Sequence, residues 1–273
     1  ASAPLVKGQD NLDWQILVRD RARGTTQIVS VSSAGAKANG RSWNPSISAD
    51  GRYVAFESSA TNLVAADTNG DRDIFVHDRA TRTTSRVSVT SAGAQGNSNH
   101  GSTAPSISAT GRYVAFVSDA ALTGLGGTAT RAFLHDRVAR TTEVISLGDD
   151  DQPRTVVAGT GVSVSGNGAR VLFTSADSDV TPDAHNLDPD VFLRDRTSGT
   201  TIRVAGNEDG ALYASISANG AWVAYESRDD DIVATDTNGQ KDIFLTQVGT
   251  GTHQLVSRTA SGRRRIDGWI DAD

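Results

Sequence analysis

The feature that most constrains this chain is that it repeats itself. Asn44-Pro45-Ser46-Ile47-Ser48-Ala49-Asp50-Gly51-Arg52-Tyr53-Val54-Ala55-Phe56 returns as Pro105-Ser106-Ile107-Ser108-Ala109-Thr110-Gly111-Arg112-Tyr113-Val114-Ala115-Phe116. It returns more loosely from Val162 to Phe173 and from Ser215 to Tyr225. A second block, Asp73-Ile74-Phe75-Val76-His77-Asp78-Arg79, recurs from Ala132 to Arg137, Asp190 to Arg196 and Asp242 to Gln247, and near the start as Gln15 to Arg21. The aligned glycines Gly51, Gly111, Gly168 and Gly220 are 60, 57 and 52 residues apart. Periods of this size belong to arrays of one supersecondary unit that cannot bury its apolar face alone.

Each unit reads as four short strands. A Ser-Ile-Ser strand turns through Asp-Gly or Asn-Gly into a Tyr-Val-Ala-Phe strand, a strong short-range hairpin signal. An Asp-Ile-Phe-Val strand follows, then a turn such as Arg79-Ala80-Thr81-Arg82 and a fourth strand from Ser85 to Val89. No stretch carries a sustained 3.6-residue apolar period with caps, so essentially no helix is expected. Charge usage agrees: 28 Asp stand against 4 Glu and 23 Arg against 3 Lys. Asp favours turns, whereas Glu and Lys favour helix surfaces. Four-stranded antiparallel units repeated radially make a β-propeller.

Complete units begin near Pro45, Pro105, Val162 and Ser215, giving blades over residues 44–89, 104–147, 161–205 and 213–258. Gln15 to Asp20 and Gln27 to Val31 supply a further pair of strands. Trp269-Ile270-Asp271-Ala272-Asp273 aligns with Ser46 to Asp50. The expectation is therefore one all-β domain, a five-bladed propeller whose closing blade joins residues 1–31 and 266–273. Leu5 to Asp20 aligns without gaps onto Leu63 to Asp78, so the counterpart of Gly51 to Ser58 is missing from that closing blade. Three explanations stand: a trimmed or longer parent chain, a slot filled by Ala3 to Gly8, or a slot that takes a partner's strand by β-augmentation. The absence of Met implies a processed or trimmed chain.

The pattern Pro-Ser-Ile-Ser-x-x-Gly-Arg-Tyr-Val-Ala-Phe, followed by Asp-x-Asn-Gly-x-x-Asp-Ile-Phe, resembles the TolB-type propeller repeats of bacterial periplasmic and secreted proteins. The resemblance covers nearly the whole chain and implies the propeller fold. It implies less about function, since such propellers bind proteins or peptides, gate peptidases, or occasionally act as lyases.

In a propeller the long connectors share one face. Here they are Ser32 to Asn44, Ser59 to Arg72, Thr90 to Ala104, Gly148 to Gly161 and Thr259 to Gly268. Long loops on a rigid scaffold are where binding usually resides. Candidate ligand contacts are Trp43, Asn44, His100, Arg263, Trp269 and Asp271, with Trp43 and Trp269 expected near the axial mouth, where an aromatic could stack on a sugar or fill a peptide pocket. Asp67, Asn69, Asp71 and Asp73 carry oxygens at alternate positions, the rhythm of a calcium loop. Asp236, Asn238 and Asp242 repeat part of it. Asx-turns that cap the following strand are the competing explanation.

Enzymatic signals are weaker. The inner strands offer Ser46, Ser48, Ser106, Ser108, Ser163, Ser165, Ser215 and Ser217, with Asp271 the one aligned acid. Glycosidases need two converging carboxylates about 5–10 Å apart. His77 and His135 share a repeat position with Arg19, Arg194 and Thr246, a tolerance that suggests a surface strand; the remaining histidines give no zinc spacing. There is no Cys, which removes disulfides and thiolate chemistry. A net charge of -6 without a basic stripe argues against nucleic acid. No apolar run approaches the ~20 residues of a membrane span.

The expectation is thus a secreted or periplasmic scaffold for a protein or peptide, possible strand addition included. Alternatives are carbohydrate recognition and a calcium-assisted lyase or hydrolase. Ala1-Ser2-Ala3-Pro4 suits a stretch just after a signal-peptide cleavage site, and a trimmed boundary equally.

Overall fold

The computed structural model describes residues 14–96, 101–125, 129–157, 159–184, 187–206, 210–236 and 239–257. Among the described residues every regular element is a strand, as the charge usage implies. The chain divides into two compact units between Glu143 and Val144.

The first unit holds a two-stranded sheet, β1 (Leu17–Asp20) and β2 (Thr25–Ile28), and two four-stranded meanders. One meander is β3 (Ser42–Ile47), β4 (Tyr53–Ser58), β5 (Asp73–Asp78) and β6 (Thr83–Arg86). The other is β7 (Ser102–Ile107), β8 (Tyr113–Ser118), β9 (Arg131–Asp136) and β10 (Thr141–Val144). The second unit repeats the plan twice. Its strands are β11 (Ser163–Val164), β12 (Arg170–Ser175), β13 (Asp190–Asp195) and β14 (Thr200–Ala205), then β15 (Ala211–Ile216), β16 (Trp222–Ser227), β17 (Asp242–Gln247) and β18 (Thr252–Leu255). In every sheet, neighbours in sequence are neighbours in space. The expected closing strand, Trp269 to Asp273, lies outside the described residues.

The middle strands are buried almost end to end; β5 has no exposed position. Such strands read as continuous apolar runs because both faces are covered. Each four-stranded sheet centres on one stacked aromatic pair from its second and third strands: Phe56–Phe75, Phe116–Phe133, Phe173–Phe192 and Tyr225–Phe244, with ring centroids 5.6–6.0 Å apart. Between sheets, Ile16 and Val29 pack with Val54, Phe56 and Leu63 in the first unit, while Leu172, Leu193 and Val204 pack with Val223, Tyr225 and Phe244 in the second.

The hairpin turn is built from its own side chains. Ser48 Oγ donates to Asp50 and accepts the Tyr53 amide, and the same bonds recur at Ser165 with Asn167 and Ser217 with Asn219. The serines of the expected inner strands are therefore partly turn caps. Others tie sheets together: Ser46 Oγ accepts the Ile107 amide and Ser163 Oγ the Ile216 amide. At Gly111 (φ 73°) a Cβ would sit 2.1 Å from the Tyr53 ring of the preceding sheet, so this turn needs glycine for space as well as conformation. That ring is flanked by two guanidinium groups, Arg52 at 4.7 Å and Arg137 at 4.5 Å.

His77 and His135 correct the expectation of a surface strand. They are 1% and 6% exposed. Each uses Nδ1 on a fourth-strand threonine, Thr84 or Thr142, at 2.9 Å. The pair recurs in every sheet as Arg19–Thr26, Arg194–Thr201 and, with the roles exchanged, Thr246–His253. The position tolerates His, Arg and Thr because each can hydrogen-bond across the strands, not because it faces water. In the first unit the threonine then reaches the preceding sheet, Thr84 Oγ donating to the Val31 carbonyl and Thr142 to Val89, each at 2.5 Å; in the second unit Thr201 donates to the Leu147 carbonyl at 2.7 Å. A hydroxyl has one proton, so His77 and His135 must donate from Nδ1.

Candidate functional site

Trp43 and Asn44 lie within β3, not in the connector before it. The strand begins at Ser42 and carries a bulge: Trp43 pairs with Glu57 and Ser46 with Ala55, leaving Asn44 and Pro45 opposite Phe56 alone. A bulge of this kind re-aims side chains and increases the local twist. Asn44 adopts φ 47°, and the same break puts Ala104 at φ 52° in β7 and Tyr213 at φ 52° in β15. Left-handed backbone at non-glycine residues costs about 1–2 kcal/mol each. The Asn44 and Ala104 bulges share one buried acceptor. Glu57 Oε2 takes the Asn44 side-chain amide at 3.1 Å and the Ala104 backbone amide at 3.0 Å, while Arg72 stands 3.6 Å from Oε1.

Around this bulge the first unit displays an aromatic and cationic cluster. Trp14 is 62% exposed and meets half-buried Trp43 edge to face, with centroids 6.4 Å apart at 67°. Arg41 lies over the Trp14 ring at 5.9 Å. The Trp14 carbonyl accepts the Ser42 amide at 2.9 Å, which fixes the tryptophan to the start of β3. Arg72 and Pro189, each just before the third strand of a sheet, do the same for Ser102 and Ala211 in the first strand of the next sheet of their unit. Trp14 takes this place in the gapless alignment of Leu5 to Asp20 on Leu63 to Asp78, where it matches Arg72. That signal was available in the sequence, but Trp14, Arg41 and Glu57 do not follow from loop length. Of the other expected contacts, His100, Arg263, Trp269 and Asp271 lie outside the described residues.

The acidic loop is organised around an arginine. Asp67 and Asp73 both approach Arg86 Nη1, at 3.5 and 3.1 Å. Burial raises both carboxyls above their usual range, against the pull of Arg86. Asp73 also accepts from Ser88 at 2.5 Å. Asn69 Oδ1 accepts the Asp71 amide at 3.1 Å, an Asx-turn, and its Nδ2 donates to Gly96. In the second unit Asp236 and Asp242 are buried, Asp242 accepts from Ser257, and Asn238 lies outside the described residues. Among the described residues no three His, Asp or Glu side chains converge to hold a metal.

Comparison with solved structures gives the fold its family likeness. The chain matches TolB from Acinetobacter baumannii with a TM-score of 0.54 and 15% identity, over 88% of this chain and 48% of that one. A putative TolB from Agrobacterium tumefaciens matches with a TM-score of 0.55 and 15% identity, over 89% and 69%. The fold is that of the TolB-like β-propellers. Tricorn protease matches with a TM-score of 0.50 and 14% identity, over 89% of this chain and 24% of that one. The chain thus spans about half the length of the first TolB-like structure it matches. No family model and no curated protein matches the sequence. At these identities the TolB-like assignment describes the sheets and their order, and the chemistry must be read from the side chains.

Proposed function

We propose that this TolB-like propeller is a non-catalytic scaffold that binds a protein or peptide, with Trp14, Arg41 and Trp43 as the anchor residues. The observation that carries the reading is the exposed Trp14–Trp43 pair with Arg41 stacked on it, held by the β3 bulge. Trp, Tyr and Arg dominate the energetics of protein interfaces. Exposed Tyr213, on the equivalent bulge in the second unit, is of the same type. In this reading β1 and β2 belong to a fifth blade, and strand addition to their sheet is a further route for a partner. The reading places the protein in a secreted or periplasmic setting, where a cysteine-free, turn-rich scaffold loses nothing to oxidation. No helix among the described residues is long and apolar enough to cross a membrane.

Selection from a displayed random-peptide library, run beside a glycan array, tests this reading. Enrichment of peptides that quench tryptophan fluorescence is the expected result. Glycan hits without any peptide enrichment would overturn it in favour of carbohydrate recognition. Turnover abolished by a chelator would replace it with a calcium-assisted lyase or hydrolase.

A further inference from the structure

Two cavities in the first unit occupy the same place in successive copies of the repeat. One, of about 530 Å³, is lined by residues that include Val89, Ser91, Gly93, His135 and Arg140. The other, of about 370 Å³, is lined by Val31, Ser33, Gly35, His77 and Arg82 among others. Each of these five residues is matched by its counterpart 58 positions later. Both linings include a histidine and an exposed arginine, and neither includes a carboxylate among the described residues. The His77 ring is 1% exposed, its Nδ1 is committed to Thr84, and its Nε2 has no hydrogen-bond partner among the described residues.

In the second unit the same place in the repeat carries an internal ion pair. The turns Ser32–Ala36 and Thr90–Ala94 recur as Gly148–Gln152, with the same pair of backbone hydrogen bonds. Gly35 and Gly93, at φ 83° and 80°, are replaced there by Asp151 at φ 60°. The histidine is replaced by Arg194. Its Nη1 keeps the bond to the fourth-strand Thr201, and its Nη2 takes the Asp151 carboxylate at 2.5 Å. At Gly35 and Gly93, by contrast, an added Cβ would meet nothing within 4 Å.

We infer that the His77 and His135 cavities are carboxylate-binding pockets, taking from an external ligand the group that Asp151 supplies internally. On binding, the imidazole takes one proton from water at Nε2 and donates it to the carboxylate, and Arg82 or Arg140 supplies the second donor. The neighbouring charges are already committed. Asp78 and Asp136 pair with Arg52 and Arg112. Arg79 and Arg137 donate to the Gly51 and Gly111 carbonyls, and Arg86 pairs with Asp67 and Asp73. Burial holds both imidazoles below their usual pKa, so the pockets stand neutral at the ring until an anion arrives.

The test is a titration of ¹⁵N-histidine-labelled protein with sodium acetate, against sodium chloride at equal ionic strength, followed by NMR. A parallel arm uses a capped peptide bearing one glutamate. Saturable shifts at the His77 and His135 ring nitrogens, with both pKa values rising by about one unit, are expected. In Gly93→Asp the His135 response should vanish while His77 still responds, an internal control in one molecule. Arg140→Gln, which leaves the turn untouched, should weaken acetate at His135 about tenfold. Acetate binding alone marks small free acids as the ligand, and tighter peptide binding marks a protein-borne carboxylate; either supports the pocket. Shifts no larger than with chloride, or a His135 response that survives Gly93→Asp, would overturn it.

Discussion

Replacing Thr142 by valine removes one oxygen and almost no volume, and it isolates the tie between successive sheets. The Thr142 hydroxyl donates to the Val89 carbonyl at 2.5 Å and accepts from His135 Nδ1 at 2.9 Å, with Thr142 and His135 each 6% exposed. In Thr142→Val both partners stay buried without their hydrogen bonds, at about 1–3 kcal/mol each. The methyl group that replaces the hydroxyl returns about 1 kcal/mol of burial. The net loss should be about 1–5 kcal/mol, or a fall in Tm of roughly 2–20 °C for a chain of this size. Urea denaturation of Thr142→Val beside Thr81→Val provides the assay, because Thr81 is exposed and its hydroxyl meets Thr83 at 2.8 Å within the same hairpin. That control should stay within about 0.5 kcal/mol of the parent. A Thr142→Val variant as stable as the control would refute the idea that this hydroxyl joins the sheets.

Other outcomes follow from particular contacts. Gly111→Ala should cost about 2–4 kcal/mol in urea denaturation, since it adds left-handed strain to a collision with Tyr53; a loss under 1 kcal/mol would show that the ring moves freely. Burial pushes Asp190 up to about 6, despite Arg203 at 2.8 Å. A raised carboxyl pKa means that folding takes up a proton between about pH 4 and 6, so its contribution to stability declines as pH rises through that window, by about 1–3 kcal/mol. The difference in stability between the parent and Asp190→Asn should trace that decline, and a pH-independent difference would refute it. Because Arg86 already lies between Asp67 and Asp73, calcium titration should give no heat and no rise in Tm. A saturable signal would show that the ion displaces the guanidinium.

How much could be read in advance depended on what kind of signal each residue carried. The Tyr-Val-Ala-Phe and Asp-Ile-Phe-Val strands begin where expected, at Tyr53 and Asp73, and run two residues further, to Ser58 and Asp78, because a continuous apolar run flanked by a turn leaves little choice of start. The first strands begin earlier than Pro45 and Pro105 suggest, at Ser42 and Ser102. Asn44 and Pro45 read as loop because proline lacks an amide and asparagine favours left-handed backbone. In fact they form a bulge inside β3, and Trp43 moves from connector to strand. The same early start applies at Ala211, four residues ahead of Ser215. The histidine position was misread for a related reason. Tolerance of Arg and Thr suggested exposure, whereas the constant property is a hydrogen bond to a residue seven positions away, which a residue-by-residue comparison does not display. The paired aspartates gave the spacing of a cation site but not Arg86, which comes from the neighbouring β6.

The central claim is that binding is anchored on Trp14, Arg41 and Trp43, and the most direct measurement is the affinity of a library-selected peptide for the parent and for Trp43→Ala. Truncating a buried anchor in an interface typically costs about 2 kcal/mol or more, roughly a thirtyfold rise in Kd. We expect that rise, with an unchanged affinity in the exposed control Val138→Ala. Equal Kd values for the parent and a folded Trp43→Ala variant would contradict the claim.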